Sequence, residues 1–160
     1  MERIAIFPGS FDPFTKGHES VVDRALPLFD KIFIAIGNNT TKMGFLTVDE
    51  RIELINNVYR NNSKIIIEAY EGLTVDYCKK VGANFMLRGI RTSSDFEYER
   101  AVAQMNKSML PEVESVFLLT TPELTPVNST IVRDILRYGG DVSQFLPDKS
   151  NIYEILKNRE

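Results

Sequence analysis

The chain contains a single histidine, His18, within Thr15-Lys-Gly-His18, shortly after a loop punctuated by Pro8, Gly9 and Pro13. A short apolar run at 3–7 leads into that loop, and helical periodicity resumes at Gly17. A strand, a glycine-bearing turn and a helix start point backbone N–H groups into one small space, which is how proteins hold anions. The positive end of a helix disfavours imidazolium, so a neutral His18 ring is expected, with one N–H free for a phosphoryl oxygen. Ser10 adds a hydroxyl to the same turn, although a serine after glycine ordinarily serves the turn itself. A second segment of this character is Arg88-Gly-Ile-Arg91, where two guanidiniums flank a glycine that permits close backbone approach. Lys42, in the polar loop 37–44, is a further cation and suggests a second phosphate. Taken singly, these cations read equally well as solvated surface residues. Their meaning depends on the elements that carry them.

Those elements follow from periodicity. Strand-length apolar runs occupy 3–7, 31–36, 65–69, 84–87 and 115–119, with helical patterns between them. The first helix, 17–29, sets Val21, Val22, Ala25, Leu26 and Phe29 on one face and contains Pro27, which predicts a kink or early end. Thr47-Val-Asp-Glu50 is a capping box for a helix through 59. A helix over 74–81 is closed by Gly82. A long helix capped by Ser94 or Asp95 runs to 109, and Pro111 follows it. Ser129 caps a helix over 130–138, which Gly139-Gly140 stops, and a last helix covers 151–157. This alternation predicts an α/β fold: a Rossmann-like, doubly wound, five-stranded parallel sheet of order 3-2-1-4-5 in one domain over 1–160. In that order strands one and four are neighbours at the crevice where ligands bind, so the loops bearing Ser10, His18, Arg88 and Arg91 converge.

With 43% hydrophobic and 26% charged residues, a chain of 160 is long enough to bury a substantial core. A net charge of −3 argues against the basic face that bulk nucleic-acid binding needs, so no nucleic-acid partner is expected. One cysteine precludes an internal disulfide framework, and the start of the chain lacks a charged-then-apolar leader, so a cytoplasmic location is expected. No apolar run approaches the roughly 20 residues of a membrane span, and no membrane partner is expected. Cys78 lies in a helical pattern and reads as packing, as do Met105 and Met109 by their spacing. Asp95 and Glu99 share a helix face, where capping and pairing with Arg91 or Arg100 is the expected use, so no metal ligand is assigned. P-loop, Gly-x-Gly-x-x-Gly and Cys/His metal patterns are absent.

Beyond these physical readings, Thr15-Lys-Gly-His18 has the T/H-x-G-H form of the nucleotidylyltransferase superfamily. It stands with Pro8-Gly-Ser-Phe-Asp-Pro13, Arg88-Gly-Ile-Arg-Thr-Ser-Ser-Asp-Phe-Glu-Tyr-Glu99, Met105-Asn106, Glu114-Ser-Val-Phe117, Gly140-Asp-Val and Leu146-Pro147. On these segments the chain resembles the bacterial phosphopantetheine adenylyltransferase family along nearly its whole length. The resemblance implies transfer of AMP from ATP to 4′-phosphopantetheine, giving dephospho-coenzyme A and pyrophosphate. It also implies Mg²⁺ accompanying the ATP, and a homohexamer. Carried over by position, Ser10 and His18 meet the ATP α-phosphate, Lys42 and Arg88 the acceptor phosphate, and Arg91 the β/γ phosphates. His18, Ser10, Lys42 and Arg91 form the implied catalytic set. Phe11, Gly89, Ile90 and Glu99 surround the nucleotide, while Leu124, Thr125, Pro126, Val127, Asn128, Ser129 and Thr130 form an adenine-side loop and helix start. Leu73, Thr74, Met105 and Asn106 line the pantetheine arm, which moves Met105 from core to ligand contact and leaves Met109 in the core.

Three features depart from the family pattern. Ser10 stands where threonine is usual, and Thr74 replaces a commonly apolar contact. Residues 124–130 replace an aromatic-containing stretch followed by Ile-Ser-Ser-Ser, so Leu124 has no ring to stack on a base. Two other readings remain open at this point: a sibling nucleotidylyltransferase with another phosphate acceptor, and a non-catalytic nucleotide sensor.

Overall fold

A computed structural model describes residues 1–160. Along the chain run β1 (Ile4–Gly9), α1 (Lys16–Ala25), β2 (Lys31–Gly37), α2 (Val48–Val58), β3 (Ile65–Tyr70), α3 (Thr74–Val81) and β4 (Phe85–Ile90). They are followed by α4 (Ser93–Met109), β5 (Glu114–Leu119), α5 (Ser129–Arg137) and α6 (Ile152–Lys157), with single 3₁₀ turns at Pro122–Leu124 and Ser143–Phe145. All strand pairs are parallel and the order is β3-β2-β1-β4-β5, as the alternation predicts.

The period-2 geometry of the strands divides the core into two layers. Ala5 and Phe7 of β1 and Ile32, Ile34 and Ile36 of β2 face one way, onto Val21 and Val22 of α1, Leu54 and Ile55 of α2, Val132 of α5 and Ile152 and Ile155 of α6. Their alternates, Ile6, Phe33 and Ala35, face the other way, onto Tyr77 and Cys78 of α3 with Met86 and Val113. Each fully buried isoleucine here contributes about 1.5–3 kcal/mol relative to an exposed one. Cys78 is buried among apolar neighbours, and burial pushes its thiol up to about 11, so it is packing and not a nucleophile.

Several boundaries differ from the sequence expectation for local reasons. Helix α1 ends at Ala25 because Pro27 cannot continue it; Phe29 reaches the core from the connection into β2 and not from the helix. Strand β4 runs three residues beyond 87, because Arg88, Gly89 and Ile90 pair with Phe117, Leu118 and Leu119 of β5. The cap of α4 is Thr92, whose hydroxyl accepts from Asp95 N at 3.2 Å, rather than Ser94 or Asp95. The cap of α5 is Asn128, accepting from Ile131 N at 2.9 Å, while Ser129 is the first helical residue and donates to Pro13 O. Met109 is exposed rather than core, because α4 packs only one face against β4 and β5.

Candidate active site

The carboxyl ends of β1 and β4 open into a cavity of about 640 Å³, within the range of small-molecule sites. On the β1 side the chain turns sharply. Phe11 adopts a positive φ of 50°, which swings its ring back over Gly9, where an added Cβ would lie 2.9 Å from a ring carbon. Glycine is therefore required at the end of β1. The Phe11 ring lies 5.0 Å edge-on from the imidazole of His18, with Phe14 at 5.3 Å and Phe7 at 6.3 Å. Three phenyl rings thus box the histidine.

His18 is the third residue of α1, and its Nδ1 accepts the backbone N–H of Thr15 at 3.0 Å. That bond puts the proton of the neutral ring on Nε2 and leaves one N–H donor on the cavity wall. Desolvation by its surroundings, then the charges of Arg91 and Arg88, hold the imidazole down to about 3, so it is neutral throughout the physiological range. A neutral ring is what the helix position leads one to expect, and burial is the largest cause, ahead of the two arginines.

The β4 side supplies the cations. Arg88 Nε and Nη2 form a bidentate pair with Glu99 of α4 at 2.8 and 2.7 Å, and Nη1 donates to Pro8 O of β1. Arg91 donates its backbone N–H to Asp95 at 3.1 Å and keeps its Nε 3.5 Å from the same carboxylate, the pairing read from the sequence. Gly89 lies between them against α1, where an added Cβ would stand 3.0 Å from Val21 Cγ2. The third wall is Val127 and the start of α5, where the N-terminal N–H groups of Ser129 and Thr130 lie free of intrahelical partners, while Val127 N donates to Leu124 O at 3.0 Å.

The cavity therefore gathers Ser10, Phe11, His18, Arg88, Gly89, Arg91, Glu99 and residues 127–130. It also takes in Arg133, which the sequence reading passed over. Arg133 Nη1 donates to Asp12 O at 2.8 Å and Nη2 to Thr130 Oγ1 at 3.2 Å. The available signal was its position one helical turn after Ser129, on the same face of α5. Other predicted residues fall elsewhere. Ile90 is buried in the sheet, and Leu124, Thr125 and Pro126 stand off the cavity wall. Thr74 and Asn106 line a second hollow of about 200 Å³ that shares Pro8, Arg88 and Glu99 with the first, so the Arg88–Glu99 pair is the partition between them. Leu73 and Met105 are exposed outside both. Lys42 is exposed on the loop after β2. That loop borders a further recess, of about 550 Å³, whose wall includes Ser10, Asn38, Asn39 and Thr40.

The wall carries two carboxylates, Asp95 and Glu99, and each is engaged by an arginine. They form no metal-ligating cluster. The arrangement suits two anions side by side, met by a neutral imidazole N–H, guanidiniums and helix-terminal N–H groups.

A fold and a cation-lined cavity of this kind belong to nucleotidyltransferases. The cytidylyltransferase-like family model matches residues 6–135. Among solved structures, the fold is shared with a bifunctional NMN adenylyltransferase/ADP ribose pyrophosphatase from Francisella tularensis. That likeness has a TM-score of 0.75 and 20% identity, over 99% of this chain and 49% of that one. It is shared also with a putative nicotinate-nucleotide adenylyltransferase from Vibrio parahaemolyticus, with a TM-score of 0.73 and 20% identity over 99% and 93%. Sequence relatives are narrower in kind. The phosphopantetheine adenylyltransferase of Cytophaga hutchinsonii is 48% identical over 93% of this chain and 99% of its own length. That of Bacteroides thetaiotaomicron is 49% identical over 94% and 99%. The chain belongs to the phosphopantetheine adenylyltransferase family.

Proposed function

We propose that the protein transfers AMP from ATP to 4′-phosphopantetheine, releasing pyrophosphate and forming dephospho-coenzyme A. The observation that carries this reading is the single neutral Nε2–H donor of His18 on a cavity wall shared with Arg88 and Arg91. A phosphate monoester has its second pKa near 6, so the acceptor arrives largely as a dianion and needs no general base. An acceptor phosphate oxygen forms a bond to the α-phosphorus while the bond from that phosphorus to the bridging oxygen breaks. The electron pair leaves with pyrophosphate. The protein's work is to hold two anions in line and to stabilise charge on the α-phosphoryl oxygens.

In this scheme His18 Nε2–H and the Ser10 hydroxyl donate to the α-phosphoryl oxygens. Arg91 and the N-terminus of α5 hold the β/γ phosphates. Arg88, with Lys42 reaching in from its loop, takes the acceptor phosphate, and the pantetheine arm runs along Thr74 and Asn106. Adenine lies toward the segment before α5. Mg²⁺ arrives on the triphosphate, held by phosphate oxygens and water, since the carboxylates of the wall are committed to arginines. A homohexamer is proposed from the family, and the exposed apolar face of α4 (Tyr98, Met105 and Met109) supports association; light scattering tests it. No helix is long and apolar enough to cross a membrane, and a cytoplasmic location is part of this proposal.

The deciding experiment is pyrophosphate release from ATP with a panel of acceptors. Turnover with 4′-phosphopantetheine and not with nicotinamide mononucleotide is the expected result. The reverse preference, or ATP binding by calorimetry with no pyrophosphate formed from any acceptor, refutes it.

A further inference from the structure

The loop that carries Lys42 is rooted at Phe45 and Leu46, and all four backbone polar groups of that pair are taken by side chains. Asp12 accepts from Phe45 N and Leu46 N, each at 2.8 Å. Arg51 of α2 donates to Leu46 O through Nη2 at 2.7 Å and Nε at 3.0 Å. The remaining acceptor, Phe45 O, is held by Arg159 Nη2 at 2.9 Å, from the segment after α6. Arg159 also pairs with Glu50, its Nε at 2.7 Å from Oε1 and its Nη2 bonded to Oε2. Its guanidinium lies 5.7 Å from the centroid of the Phe45 ring, and Arg137 of α5 lies at the same distance.

The division of labour among these groups is physical. Asp12 and Arg51 are buried and hold the root from beneath, which couples it to the Ser10 turn through the Arg51 Nη1 bond to Ser10 O. Arg159 is the holder that acts from outside. One planar fork meets a carbonyl, a carboxylate and a ring together, which an ammonium cannot do. Glu50 is pre-set for it by the capping box of α2, where Thr47 N donates to Oε2 at 2.7 Å.

We propose that Arg159 is a positioning residue for acceptor binding: it latches the root of the Lys42 loop from the distal end of the chain. The inference rests on the reading of Lys42 as the acceptor-phosphate cation. In the absence of the latch, Phe45 loses its outer anchor while the cavity of β1, β4 and α5 keeps its walls. Misplacement of a charged group by about 1 Å is enough to cost on the order of 10²-fold in such sites.

The test is Arg159→Ala beside Arg159→Lys and Glu50→Gln, the last keeping an amide to cap α2. Three readouts are taken on the whole chain: the rate of tryptic cleavage after Lys42, KM for each substrate, and the thermal midpoint. Trypsin must draw several residues on both sides of that bond into its cleft, so cleavage reports release of Phe45. In Arg159→Ala, cleavage is expected to rise by about tenfold and the phosphopantetheine KM by a similar factor, with the ATP KM and thermal midpoint unchanged. Arg159→Lys is expected to fail to restore either the cleavage rate or the phosphopantetheine KM. Unchanged cleavage overturns the latch. Faster cleavage with an unchanged phosphopantetheine KM overturns the role of Lys42 instead, so the two failures are told apart.

Discussion

Replacing His18 by Gln separates two duties of one ring. The imidazole accepts the Thr15 N–H through Nδ1 at 3.0 Å, completing the cap of α1, and offers Nε2–H to the cavity. Glutamine at the third helical position retains a capping acceptor. It does not place an N–H where Nε2 stands, so stability is kept and the donor is lost. Loss of one preorganised donor typically costs ~10²–10³ in kcat, or about 2.7–4 kcal/mol of transition-state stabilisation. The pH dependence sharpens the test. With its imidazole held down to about 3 by desolvation and by Arg91 and Arg88, His18 carries a proton in only about one molecule in a hundred at pH 5. An ordinary histidine would be protonated in more than about nine in ten at that pH. Saturating pyrophosphate-release assays are therefore expected to give a flat kcat between pH 5 and 8. By contrast, kcat/KM for phosphopantetheine falls below pH 6 as the free acceptor becomes a monoanion. Between pH 6.5 and about 3 the unfolded state binds the extra proton, so stability is lost as the pH is lowered, by up to about 1.4 kcal/mol per unit. A wild-type kcat inflection near 6.5 that disappears in His18→Gln would refute the assignment.

Other consequences are as concrete. Asp12→Ala orphans Phe45 N and Leu46 N and leaves the buried Arg51 without its counter-charge, so denaturant unfolding should show a loss of about 3–5 kcal/mol; less than about 1 kcal/mol would show the pair to be dispensable. Gly89→Ala crowds Val21 Cγ2 at 3.0 Å and should destabilise by about 1–2 kcal/mol, with Val21→Ala added to it recovering part of the loss in a double-mutant cycle. Asp30, bonded by the Arg3 side chain and its backbone N–H, is held down to about 2. Its favourable pairing is present above pH 3.8 and lost as pH falls toward 2, and Arg3→Ala should raise the carboxyl part of the way in an NMR titration, because the backbone N–H of residue 3 still donates to it.

Local rules carried far in this chain. Gly82 closes α3 with a φ of +70°, Thr47 and Glu50 form their capping box, and five apolar runs become five parallel strands in the predicted order. The caps are decided within one turn and each strand within its own run, so periodicity and cap chemistry suffice for the elements, and their alternation for the sheet order. The convergence of His18, Ser10, Arg88 and Arg91 was also legible, because strand order alone brings the ends of β1 and β4 together.

What the tertiary structure decided was which distant groups answer each other. Asp12 O receives Arg133 from 121 residues away, and Phe45 O receives Arg159 from 114. No spacing rule reaches across such separations. β4 runs three residues past the end of its apolar run because β5 offers partners, and Arg88 is held by Glu99 because α4 folds back over the strand. His18 shows the division most clearly. Its place at a helix start, and hence a neutral ring, is a property of Thr15-Lys-Gly-His18. How far its pKa falls depends on three phenyl rings and two arginines that only packing brings around it, because desolvation and Coulomb interaction depend on distance in space and not along the chain.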